Sequence, residues 1–175
     1  MKNFVCTAVA AIVLSTAPAF AFDDQDRAAV GATFETLTKG LSDNDYEAVF
    51  STMSPALLAK MAEPTGMTPE AFQNLMAEQM KAAMSQVEIK SVSYDLDGMT
   101  TGTSETGRDY AVVSTTTEMS MSGANMKAVS PALAFEDDGK WYLLQVQSPD
   151  QSQLLAEVYP DLAEVELPAP EMTAE

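Results

Sequence analysis

A change of hydrophobic period near residue 86 limits what this chain can fold into more than any other feature. Before it, apolar residues recur at helical spacing; after it, they alternate and β-branched residues accumulate. From Asp24 to Leu41 the apolar positions are Val30, Phe34, Leu37 and Leu41. Ser42-Asp43-Asn44-Asp45 interrupts the pattern and supplies capping side chains. Tyr46, Val49, Phe50 and Met53 continue on a second helix, and Pro55 starts a further turn carrying Leu57, Leu58 and Met61. Thr68-Pro69 is a hydroxyl followed by proline at the first helical position. It opens a third long helix to about Met84, with Phe72, Leu75, Met76, Met80 and Met84 on one broad face.

Strands follow at 87–97, 110–121, 126–135 and 140–147, joined by turn-rich segments that include Ser122-Gly123-Ala124-Asn125 and Asp137-Asp138-Gly139. Pro131 marks an edge or a bulge in the third strand. A short helix over 151–158 comes last. Helices first and an antiparallel meander afterwards define an α+β chain, N-terminal helices packed on a curved sheet.

The N-terminus reads as a secretory signal over residues 1–21. Lys2 precedes an apolar run from Phe4 to Leu14, and small residues follow to Ala19-Phe20-Ala21. The run is shorter than the ~20 residues a membrane span needs, and no later stretch reaches that length. Cleavage leaves 154 of 175 residues, removes the only cysteine, and moves the net charge from −17 to −18 with the loss of Lys2. An exported, periplasmic or extracellular protein of one domain (22–166) is expected. Residues 167–175, rich in Pro, Ala and Glu, are expected to be a disordered acidic tail. A surface this acidic repels phosphates, so nucleic acid is not an expected partner.

Two segments resemble a known family. Gly40-Leu41-Ser42-Asp43-Asn44-Asp45-Tyr46-Glu47-Ala48-Val49 looks like the first helix junction of nuclear transport factor 2-like proteins, which include ketosteroid isomerase. Phe135-Glu136-Asp137-Asp138-Gly139-Lys140-Trp141-Tyr142-Leu143 resembles the closing hairpin of that family. The resemblance covers roughly 24–148 and implies a cone-shaped fold with a cavity between helices and sheet. It also implies pairing of two copies through the outer sheet face, here Val112, Ser114, Thr116 and Glu118.

No histidine is present, and no cysteine follows the leader. Serine–histidine and thiol catalysis lack their side chains, and zinc loses its usual ligands. No cofactor is expected. Isomerase or dehydratase chemistry from a carboxylate and a tyrosine is the alternative to simple binding; Tyr46, Tyr94, Asp95, Asp97 and Tyr110 supply the residue types. Asp95-Leu96-Asp97-Gly98 and Asp43–Glu47 do not complete a calcium loop and read instead as capping turns. Methionine is abundant, with eleven left after Met1. Met119, Met121 and Met126 flank one hairpin turn, and thioethers are soft ligands for Cu(I). The competing reading is that methionines fill a core or line a pocket.

The favoured reading is a non-catalytic module for a small apolar or amphipathic ligand, held where the concave sheet faces the Thr68–Met84 helix. The candidate lining is Phe50, Met76, Met80, Tyr94, Thr115, Thr117, Met119, Trp141 and Gln145. Thr115, Thr117 and Gln145 are diagnostic, because inward polar groups without partners require a wet cavity.

Overall fold

The computed structural model describes residues 22–121, 123–146 and 148–174. The expected leader therefore lies outside the described residues. The chain forms α1 (Asp24–Asp43), α2 (Tyr46–Ser51), α3 (Pro55–Ala62) and α4 (Pro69–Met84). The strands β1 (Val87–Thr103), β2 (Asp109–Met121), β3 (Ala124–Asp137) and β4 (Lys140–Gln145) follow, then α5 (Pro149–Val158) and β5 (Glu171–Ala174). This is the expected α+β order: helices first, then a curved, open antiparallel sheet.

The helix ends form where the capping side chains stand. Asp23 and Asp26 make a reciprocal capping box at the start of α1. Asp45, Ser54 and Thr68 each accept a backbone N–H at the starts of α2, α3 and α4. Asn44 closes α1 in the left-handed conformation, φ 56°. The chain can turn sharply there because Gly40 has no Cβ; one would stand 2.9 Å from the Asp45 carbonyl oxygen.

The sheet runs β1-β2-β3-β4, with β5 on the same edge of β3 as β4. Asp138 and Gly139, both at positive φ, make the two-residue turn between Asp137 and Lys140. β1 bends between Asp95 and Thr100, where the Asp95 carboxylate accepts from the N–H groups of Asp97 and Gly98. Pro131 falls in the interval between the β4 partners (132–137) and the β5 partners (126–129), so neither strand faces it.

Each sheet face carries its own apolar layer. On one, Val30, Phe34 and Leu37 of α1 pack on Ala111, Val113, Ala132, Ala134, Trp141 and Leu143. Small alanines in the sheet let the large α1 side chains approach closely. On the other face, Leu133, Phe135, Leu144 and Val146 pack against Leu57, Leu155, Tyr159 and Leu162. A third cluster of Tyr46, Phe50, Leu58 and Ala77 holds α4 to α2 and α3.

Two expectations are corrected. α1, not the Thr68–Met84 helix, packs across the sheet, contacting both β1 and β4, while α4 meets only β1 of the sheet strands to any extent. The segment expected to be a disordered tail is instead docked. Leu167 packs on the second apolar layer, and Glu171–Ala174 pairs with Met126–Val129. Composition alone misses this because the partner edge lies some 45 positions earlier and is left free by the shortness of β4.

Candidate functional site

A pocket with a long apolar lining lies where α2, α3, α4 and the β4 edge meet. Its volume is about 270 Å³, and Leu37, Val49, Phe50, Thr52, Met53, Met61, Met76, Met80, Leu143, Leu144, Gln145 and Gln151 line it. α2 ends beside β4 because the Leu143 N–H donates to the Thr52 carbonyl at 2.7 Å. That bond ties the helix layer to the strand edge and fixes one wall. The opposite wall is the Met76 and Met80 stripe of α4, half-buried in the third apolar cluster. Among the described residues, the lining holds no Asp, Glu, Lys, Arg or Tyr. Its polar atoms come from Thr52, Gln145 and Gln151, of which Gln151 also accepts from the Ser148 N–H at 3.1 Å.

Of the nine expected lining residues, this pocket gathers Phe50, Met76, Met80 and Gln145. The other five are placed elsewhere. Tyr94 stacks on Phe34 with ring centroids 4.9 Å apart, and Trp141 meets Phe22 edge-on at 5.5 Å, both in the α1 layer, with Trp141 also bordering a hollow on the outer side of α1. Thr115 is 1% exposed, yet its hydroxyl donates to the Ser130 carbonyl at 2.8 Å and lies 3.2 Å from the Ser130 hydroxyl. Its polarity is answered by the neighbouring strand, so it requires no wet cavity. Thr117 and Met119 line a separate hollow of about 280 Å³ with Ala128, Ser130 and Met172. The helical period announced Met76 and Met80. It marked Met53 and Met61 as apolar-face residues too, but nothing local placed them or Gln151 in this pocket, because three short elements converge to bring them in.

A second polar assembly lies on the opposite face. Arg108 donates to Asp137 at 2.8 Å, Asp161 at 3.1 Å and the Glu136 carbonyl at 2.6 Å, with its guanidinium over the Tyr159 ring. Ser104 and Thr106 donate to the same Asp161 oxygen. The Tyr159 hydroxyl lies 2.7 Å from Asp137 and 2.9 Å from the Ser54 hydroxyl. It has one proton, and a carboxylate can only accept, so Tyr159 donates to Asp137 and Ser54 donates to Tyr159. Burial pushes the Tyr159 hydroxyl up to about 12, with the Asp137 bond adding to the rise and Ser54 opposing it. Burial also works to raise Asp161, but hydrogen bonds from Thr106, Ser104 and Arg108 outweigh it and hold the carboxyl below its usual range. Each of these polar groups is occupied by another, so the assembly acts as a clasp that locks the C-terminal segment onto the β1–β2 turn and the end of β3.

The outer face expected to pair two copies is partly covered by the chain itself. Val112 packs into the C-terminal apolar layer, and Val112 and Ser114 border a small hollow closed by Pro168 and Ala169. Among the described residues, no helix is long and apolar enough to cross a membrane. No protein-family model, curated protein or solved structure matches the chain.

Proposed function

We propose that this chain is an exported, non-catalytic binding module of the nuclear transport factor 2-like kind, and that it takes a small apolar or amphipathic molecule in the α4 pocket. The observation that carries this reading is the lining itself: long aliphatic and thioether side chains and, among the described residues, no charged one. At about 270 Å³ the space is just under the roughly 300 Å³ where sites for drug-sized ligands begin. An occupant of this size is a short acyl chain or a small aromatic molecule with one polar group. The flexible methionines adapt their shape to it. Carboxylate–tyrosine chemistry needs both groups in one cavity, and this lining contains neither.

The test uses the fluorescent apolar probe N-phenyl-1-naphthylamine. Wild-type protein is expected to bind it saturably, and Met76→Trp, which fills the pocket, to weaken binding roughly tenfold or more. Circular dichroism confirms that the variant is folded. Equal binding by both proteins, or none by the wild type, overturns the reading.

A further inference from the structure

Strand register brings four thioethers to one face of the sheet, at the end away from the β3–β4 turn. Met119 faces Met126 directly across β2 and β3. Met121 lies two residues beyond Met119, hence on the same face. Met172 of β5 faces Ala128, which faces Thr117, so it shares that face as well. Met119 and Met172 also border the same hollow of about 280 Å³. Without β5 docked on β3, this set would have three members.

Exposure separates these methionines from those of the helices. Met76, Met80 and Met84 pack on the third apolar cluster, and core filling accounts for them. Met121 is 46% exposed and Met172 is 65% exposed, while Met119 and Met126 are half-buried. Core filling does not account for Met121 and Met172, which stand in solvent on either side of Met126. The rows they occupy are completed by Val87, Ile89, Val92, Thr117, Ala124, Ala128 and Ala174, none of them charged; Glu171, paired with Val129, borders the hollow beside Met172.

Directly opposed side chains in an antiparallel pair start about 5 Å apart, and diagonal ones about 7–8 Å. Methionine, with its flexible side chain, spans such gaps easily, so three or four sulfurs can meet above Met126. A set of neutral thioethers selects a soft ion over calcium, magnesium or zinc. The net charge of −17 supplies a general attraction for cations.

We propose that Met119, Met121, Met126 and Met172 form a binding site for a soft monovalent cation, Cu(I). The site is separate from the α4 pocket and does not depend on what that pocket holds. The test titrates the purified protein with Ag(I), a redox-inert probe, and with Cu(I) held by bicinchoninate under anaerobic conditions. One ion per chain is expected. Met126→Leu preserves apolar volume and is expected to weaken binding by roughly tenfold. Deleting residues 171–175 removes Met172 and is expected to weaken it by a smaller factor. Both variants should bind N-phenyl-1-naphthylamine as the wild type does, which separates failure of this site from failure of the pocket. Wild-type protein that takes no ion from the chelator, or a Met126→Leu variant that binds as tightly, overturns the proposal.

Discussion

Around the α4 pocket, packing is done by half-buried methionines and short helices, and about 270 Å³ is left open. Around Arg108, packing is done by charged and hydroxyl groups that pair with one another and hold Tyr159 at 4% exposure. The difference separates two tasks. Adaptable apolar side chains leave room for an occupant and lose little when exchanged. A network of paired charges leaves no room, and it loses much when one member is removed, because the remaining charges stay where they are. Stability is therefore expected to be concentrated at the clasp and ligand capacity at the pocket.

The largest expected effect is at Arg108. Arg108→Ala leaves Asp161, whose side chain is 7% exposed, with only its Ser104 and Thr106 donors, and should lower stability by about 3 kcal/mol in urea unfolding. It should also flatten the acid limb. Asp161 is held below its usual range, so its contribution is present above the unfolded-state pKa and is lost as the pH falls. A loss under about 1 kcal/mol would place the clasp with ordinary surface pairs and break the comparison.

Tyr159→Phe comes next, at about 1–2 kcal/mol near neutral pH, because Asp137 and Ser54 lose a buried partner. Its signature is alkaline. A tyrosine raised to about 12 stabilises the fold fully below the unfolded-state value near 10, and that contribution is lost as the pH rises from about 10 to about 12. The wild type should lose roughly 2–3 kcal/mol over that window, beyond any loss in the variant. Parallel pH profiles for the two proteins would show that this hydroxyl is not held as described.

At the pocket, Met80→Leu should cost less than about 1.5 kcal/mol, since volume and apolar character are kept. A cost matching that of Arg108→Ala would mean the pocket wall is as tightly fitted as the clasp. Smallest of all, deleting residues 171–175 should change global stability by under about 1 kcal/mol, since all four residues of β5 are exposed. Its effect belongs in amide exchange at Met126–Val129, which should quicken.

The helices and the hairpins were legible because their signals are local. Thr68-Pro69 starts α4 and Asp138-Gly139 turns β3 into β4 without reference to distant residues. What was not legible depends on partners far along the chain. Thr115 alternates inward as its parity requires, but only the Ser130 carbonyl, fifteen residues on, makes it a core residue rather than a pocket wall. Ser104, Arg108 and Asp161 meet across more than fifty positions, and none belongs to a periodic pattern. Glu171–Ala174 has the composition of a tail and becomes a strand because β4 ends early and leaves part of the β3 edge unpaired.

The methionines offer the most direct test of the central claim, that an apolar molecule occupies the α4 pocket. With ¹³C-labelled methionine methyl groups, each assigned by single leucine substitution, the protein is titrated with 1-octanol and followed by NMR. The account predicts saturable shifts at Met53, Met61, Met76 and Met80, with Met121 and Met126 unmoved. Shifts confined to Met119, Met121, Met126 and Met172, or no saturable shift at any methionine, would contradict it.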